Sequence, residues 1–221
     1  MLKGVRHLSF EIGGKCNLAH KHEWCPAHDR IISRATLDPG TIARVTDEAV
    51  ALGFDGYVGF HFYNEPCLYK DEIRAAIEAC DYDRFMLWTN GTLLDQDFAN
   101  LFEWIVVTDY GFVPDIMHKR MSVYPSSPDS RLKNYKAWTS DSATCWRHRV
   151  EVPIDHDGGV HLCCQDWKNT LGNIFDSSLE HILQPYLPMM LSLCSDGQDV
   201  FDVCKTCHNR IDFDSYTRGR A

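Results

Sequence analysis

Residues 10–26 read FEIGGKCNLAHKHEWCP, a run in which a short apolar segment leads through Gly13 and Gly14 directly into a loop holding Cys16 and Cys25. The alternation over residues 8–12 predicts a β-strand, so sulfur ligands follow a strand end. A second set of cysteines lies far along the chain. Cys145 and Cys163 are spaced C-x12-G-x4-C through Gly158, and a C-K-T-C pair closes the set at Cys204 and Cys207. Four thiolates so spaced can surround one metal centre, and zinc and iron–sulfur clusters both accept four cysteines.

Outward from the first loop the chain alternates strand and helix. Asp38 and Pro39 predict a helix start as N-cap and first-turn proline, with Ile42, Val45, Ala49 and Leu52 on one face and Gly53 as the stop. A strand is predicted over 57–62, then a helix from about Asp71 with Ile73, Ile77 and Cys80 on one stripe. A strand over 85–89 follows, and Asp95 caps a helix that turns Phe98, Leu101 and Phe102 inward. Further strands are predicted over 104–107 and 121–124. This rhythm implies an α/β fold with parallel strands, right-handed crossovers and reactive residues at the carboxyl ends of the strands. The units are too few for an eight-stranded barrel, so a shortened, partial (β/α) barrel over 1–124 is expected. Residues 125–140 read as a linker. In the remainder, 141–221, segments 149–155 and 160–163 flank an Asp157-Gly158-Gly159 turn and predict a β-hairpin, followed by a short helix over 179–183.

Composition narrows the partners. The 221 residues carry 22 Lys and Arg against 31 Asp and Glu, a net charge of −9, which argues against nucleic acid as a partner and suits a small-molecule substrate. No apolar run is long enough for a membrane span, and the first fourteen residues lack the apolar stretch of a signal peptide. A cytoplasmic protein is expected, in which ten cysteines serve metals rather than disulfides.

In this context the first loop resembles that of the radical S-adenosylmethionine (SAM) enzymes. Their loop carries C-x3-C-x2-C on a 4Fe-4S cluster, with one iron left free for the amino and carboxylate groups of S-adenosylmethionine. Two further elements fit in order. HFYNEP at 61–66 resembles the family's G-E-P element, and TNG at 89–91 ends a strand as is usual there. The resemblance therefore implies that Tyr63, Asn64, Glu65, Pro66, Thr89, Asn90 and Gly91 line the cofactor. VPIDHDGGVHLCCQDW at 152–167 and LGNI at 171–174 resemble the auxiliary-cluster appendage called SPASM, or twitch when it holds one cluster. A second, auxiliary 4Fe-4S cluster on Cys145, Cys163, Cys204 and Cys207 is implied. The chain resembles in particular the 2-deoxy-scyllo-inosamine dehydrogenase type, an oxidoreductase in which a carbon radical takes hydrogen from a carbinol. The auxiliary cluster then accepts the remaining electron. This places Arg131, Gln165 and Asp166 near the substrate and implies a reducing partner such as flavodoxin or ferredoxin.

The middle cysteine of the motif is replaced. His22 gives C-x5-H-x2-C and His20 gives C-x3-H, while Cys67 beside the N-E-P element is another third ligand. The set Cys16, His22 and Cys25 has precedent, because histidine ligates cluster iron in Rieske centres and raises the potential there, which makes a weaker reductant. With a labile or absent first cluster the chain would be a non-catalytic metal-binding relic, and with zinc on the C-terminal cysteines a structural module. Within the same superfamily the alternatives are a radical epimerase, with Cys194 or Cys67 as hydrogen donor, and a peptide-modifying enzyme. Cys80 reads as a core residue. Adjacent hairpin side chains face opposite ways, so one of Cys163 and Cys164 is expected to reach the metal, and the spacing selects Cys163.

Overall fold

A computed structural model describes residues 1–21, 25–29, 36–125, 145 and 147–187. Five strands, β1 (His7–Phe10), β2 (Tyr57–Gly59), β3 (Phe85–Thr89), β4 (Trp104–Asp109) and β5 (Met121–Pro125), run parallel. Alternate side chains, among them Leu8, Phe10, Val58, Phe85, Leu87, Ile105 and Val107, face one buried core. β6 (Glu151–Ile154) then pairs in parallel with the free side of β1, setting Leu8 beside Val152 and Phe10 beside Ile154. β7 (Gly159–Val160) and β8 (Gly172–Asn173) continue antiparallel, completing the sheet order β5-β4-β3-β2-β1-β6-β7-β8. The expected partial α/β barrel and the hairpin are thus one continuous sheet, with β1 at its junction.

The helices cover one face. α1 (Pro26–Asp29) is a single turn in the first cysteine loop. α2 (Pro39–Ala51) begins as its sequence requires, with the Asp38 carboxylate accepting from the Thr41 amide at 3.0 Å and Pro39 in the first turn. α3 (Lys70–Ala79) turns Ile73 and Ala76 inward and leaves Cys80 at its C-cap against the core. The helix after Asp95 is only α4 (Gln96–Ala99), although Phe98 and Phe102 are buried as expected. Phe10, Phe60 and Phe98 are fully buried between sheet and helices, each worth roughly 2–3 kcal/mol of apolar burial. The same core takes in Val152, Ile154, Val160 and Ile174 and, from α6 (Leu179–Leu183), Leu179 and Ile182. Glu48 of α2 accepts the Leu179 amide at 2.8 Å and Arg44 donates to the Ile174 carbonyl at 2.9 Å. α5 (Arg147–Val150) is one turn leading into β6.

Four strand readings overran: β1 stops at Phe10 rather than residue 12, the first hairpin strand is Glu151–Ile154 with residues 149–150 in α5, and two others end early. β2 stops at Gly59, since its register with β3 covers only Val58 and Gly59. The chain then turns, with the Phe62 amide donating to Asn64 Oδ1 at 3.2 Å. The second hairpin strand stops at Val160, and residues 162–165 form a bend and turn. The hairpin turn itself is as read: Gly158 adopts φ +84°, and Asp155 Oδ1 accepts the amides of Asp157 at 3.0 Å and Gly159 at 2.8 Å.

The face opposite the helices is aromatic and polar. His7, Tyr57 and Trp104 meet at the amino ends of the strands, with ring centroids 6.1 Å apart for His7–Trp104 and 5.9 Å for Tyr57–Trp104. Arg120 lies 4.5 Å above the Trp104 ring and donates to the Tyr57 hydroxyl at 2.6 Å. Burial lowers the His7 pKa from 6.5 to about 4, with Arg6 and Arg120 adding to the effect and Glu151 opposing it. The unfolded chain therefore binds a proton that the native state refuses. Stability is complete above about pH 6.5 and is lost as the pH falls toward 4, by up to about 3 kcal/mol. Urea unfolding between pH 7 and pH 5 should show this slope in the wild type and a clearly flatter one in His7→Phe; equal slopes would contradict it.

Candidate metal and cofactor site

The loop after β1 approaches its neighbours too closely for side chains. A Cβ on Gly13 would lie 2.7 Å from the Tyr69 ring, and one on Gly14 would lie 3.0 Å from His156 Cε1. Tyr69 and Glu65 hold the next residue. The Lys15 amide donates to the Tyr69 hydroxyl at 2.9 Å and the Lys15 carbonyl accepts the Glu65 amide at 2.9 Å. Cys16 follows on this clamped segment. Asn17 then bridges to the loop after β3, accepting from Asn90 Nδ2 and donating to Thr92 Oγ1, both at 2.8 Å. Cys16 and buried Cys25 pack against the same group of side chains, which includes Phe62 and Tyr63.

Glu65 ties the N-E-P and T-N-G elements together. Its carboxylate is 1% exposed and accepts from the Cys67 amide at 3.0 Å, the Thr89 hydroxyl at 2.6 Å and the Asn90 amide at 2.8 Å. Burial raises its pKa, while these three donors pull it back. The carboxylate is thus turned inward, and Pro66 opens the 3-10 turn behind it. Gly91, at φ +78°, donates its amide to Thr89 Oγ1 at 3.0 Å. Cys67 also faces inward. It belongs to the main core, its sulfur lies 3.4 Å from Thr89 Oγ1, and burial raises its thiol pKa.

The second set gathers around Arg147. Its Nη1 lies 3.0 Å from Cys164 Sγ and 3.8 Å from Glu151 Oε1. Burial works against the guanidinium charge, yet Cys164, Glu151, Cys163 and Cys145 together hold its pKa above the ordinary arginine value. Because the strand ends at Val160, Cys163 and Cys164 are not opposed as hairpin neighbours would be; both couple to Arg147. Burial raises both thiols, Cys164 to about 12 despite the nearby arginine. Gln165 donates its amide to Cys163 Sγ at 3.4 Å and its Nε2 lies 3.7 Å from Cys164 Sγ. Asp166, read as a substrate contact, is 2% exposed and bonded through Oδ1 to Asn169 at 2.7 Å; its Oδ2 is buried without a partner among the described residues.

The two sets share a wall. The Tyr63 hydroxyl donates to the Cys164 carbonyl, Cys164 and Trp167 pack on the Phe62–Tyr63 group, and the Phe62 ring lies 5.0 Å from that of His161. Sequence reading missed the buried pairs behind this wall. Glu11 Oε2 lies 2.7 Å from His156 Nδ1, its Oε1 accepts the Tyr63 amide at 3.1 Å, and His161 Nε2 lies 2.8 Å from Asp155 Oδ2. Polar residues inside apolar strand ends, as in residues 152–162, were the available signal. His22, Arg131, Cys194, Cys204 and Cys207 lie outside the described residues, and His20 is exposed on a 3-10 turn. Among the described residues no three His, Cys, Asp or Glu side chains form a ready-made metal site, and no helix is long and apolar enough to cross a membrane. The cysteine chemistry nevertheless fits sulfur-ligated metal: buried Cys163 and half-buried Cys164 stand by a half-buried cation whose Nε has no hydrogen-bond partner among the described residues.

Comparison with known proteins agrees with this geometry. Residues 145–208 match the SPASM family, an iron-sulfur cluster-binding domain. The crystal structure of BtrN in complex with AdoMet and 2-DOIA superposes with a TM-score of 0.73 at 20% identity, covering 95% of each chain. BtrN in an open conformation gives 0.71 at 20% identity over 98% of this chain and 99% of that one. Streptococcus suis SuiB bound to S-adenosylmethionine gives 0.53 at 12% identity over 94% of this chain and 73% of that one. These likenesses establish the fold. No curated protein matches the sequence significantly.

Glu65→Gln offers an amide N–H to one of the three donors that the carboxylate now accepts, so it should cost about 1–3 kcal/mol of stability in urea unfolding. A loss below about 0.5 kcal/mol would show that the Glu65 contacts do not hold the loops.

Proposed function

We propose that this protein is a radical S-adenosylmethionine oxidoreductase of dehydrogenase type, which takes a hydrogen atom from a secondary alcohol of a sugar or aminocyclitol. The observation that carries this reading is the placement of the Cys16–Cys25 loop: it is clamped at the carboxyl ends of parallel strands and joined through Tyr63 to the C-terminal cysteine site. The likeness to BtrN, which extends over 95% of each chain and whose crystal structure is a complex with AdoMet and 2-DOIA, supports both the cofactor and the substrate class.

On this reading Cys16, His22 and Cys25 hold the first 4Fe-4S cluster, and Cys145, Cys163, Cys204 and Cys207 hold the second. Bound together there, a reduced first cluster and S-adenosylmethionine would supply hydrogen-abstracting chemistry. The protein's own residues orient and shield. Glu65, committed to Cys67, Thr89 and Asn90, fixes the 62–64 turn, so Tyr63 and Asn64 rather than the Glu65 carboxylate face the cofactor. Asn90 holds Asn17 and with it the shape of the loop beyond Cys16. Gln165 stands at the sulfurs of Cys163 and Cys164 and is proposed, with Arg131, to contact the substrate. Asp166 sits behind Gln165 and shapes the turn. The buried, hydrogen-bonded position of Cys67 gives no support to this thiol as hydrogen donor in an epimerase. Flavodoxin or ferredoxin would supply the reducing electron.

The test is anaerobic reconstitution followed by dithionite, S-adenosylmethionine and 2-deoxy-scyllo-inosamine. Expected are 5′-deoxyadenosine and a ketone two mass units below the substrate. An alcohol product that carries solvent deuterium would replace oxidation by epimerisation, and no 5′-deoxyadenosine from iron-replete protein would overturn the radical reading.

A further inference from the structure

A buried guanidinium is costly unless anionic partners surround it. Arg147 approaches this case: its side chain is half-buried, at 20% exposed, its nearest carboxylate, Glu151, stands 3.8 Å away, and its buried Nε has no hydrogen-bond partner among the described residues. Its close contact is a sulfur, Cys164 Sγ at 3.0 Å from Nη1. Glu151 is itself shared, since its Oε1 accepts the Cys164 amide at 2.8 Å. Among the described residues, one distant, shared carboxylate leaves the cation undercompensated. Cys164 touches the guanidinium and Cys145 and Cys163 act on its charge, and this neighbourhood becomes anionic when thiolates ligate a metal centre.

We propose that Arg147 is a potential-setting residue of the C-terminal cysteine centre, a positioning group whose charge and N–H donors favour the arrival of an electron there. Hydrogen bonds to sulfur and local net charge are two of the levers that set iron–sulfur potentials. A fixed cation beside the thiolates stabilises the more negative, reduced state and raises the midpoint. Glu151, 3.8 Å from Nη1 and bonded to the Cys164 amide, opposes it. The proposal rests on the oxidoreductase reading above, in which the substrate carbon radical becomes a carbonyl by releasing one proton and one electron, and the C-terminal centre takes that electron. Arg147 makes it the better acceptor.

EPR-monitored redox titration of the anaerobically reconstituted full-length protein tests this, with iron content measured on each sample. Arg147→Gln should retain C-terminal iron and lower the midpoint, making electron uptake at least about tenfold less favourable, which is about 59 mV for a one-electron couple. Arg147→Lys, which keeps the charge, should recover part of the shift, and Glu151→Gln should move the midpoint upward. An unchanged midpoint in iron-replete Arg147→Gln would overturn the proposal. Loss of iron in both Arg147 variants would also overturn it, because the arginine would then be structural. Failure of the underlying reading looks different: the wild type itself would take up zinc and show no redox-active iron.

Discussion

The structure depends on one buried carboxylate. Glu65 sits after β2, yet its side chain accepts the amides of Cys67 and Asn90 and the hydroxyl of Thr89, while its own amide reaches back to Lys15. Three strand ends therefore meet on one residue. A buried charge is tolerated only where such donors compensate it, so the loops after β1, β2 and β3 hold their shape together. Cys16 is placed by this knot and by the Asn17–Asn90–Thr92 bridge beside it.

A second buried carboxylate extends the arrangement across the sheet. Glu11, at the end of β1, accepts from Tyr63 on one side and faces His156 on the other. Because β6 pairs with β1, His156 arrives at the same end of the sheet as the Cys16 loop, and the turn carrying Cys163 and Cys164 follows just beyond. The hairpin is thereby part of the barrel's own sheet, with Val152 and Ile154 in the same core as Leu8 and Phe10. Separation between the two cysteine sets along the chain becomes adjacency through a wall of Phe62 and Tyr63. That adjacency is what an oxidation in two one-electron stages needs.

Features set by local chemistry were legible in the sequence. The Asp38 cap, the apolar stripes of α2 and α3, the strand at 85–89 and the Asp157-Gly158-Gly159 turn all follow from a few neighbouring residues. Strand ends were harder to read, because Phe60–Phe62 and His161–Cys163 are as apolar as true strand residues and only the partner's register decides where pairing stops. The β1–β6 pairing was invisible for a different reason: parallel partners far apart in sequence leave no local period. The site divided along the same line. Motif residues Glu65, Thr89 and Asn90 came together as their order suggested, whereas Arg147, Asn17 and the Glu11–His156 pair acquire meaning only in contact.

The central claim is that one sheet holds two distinct cysteine centres, the first of which is competent for iron. Iron and sulfide per chain, measured after anaerobic reconstitution of the wild type and of the Cys16→Ala, Cys25→Ala double variant, test it most directly. The account predicts about eight irons in the wild type and about four in the variant, two 4Fe-4S clusters and then one. About four irons in both proteins, or zinc in place of iron, would contradict it.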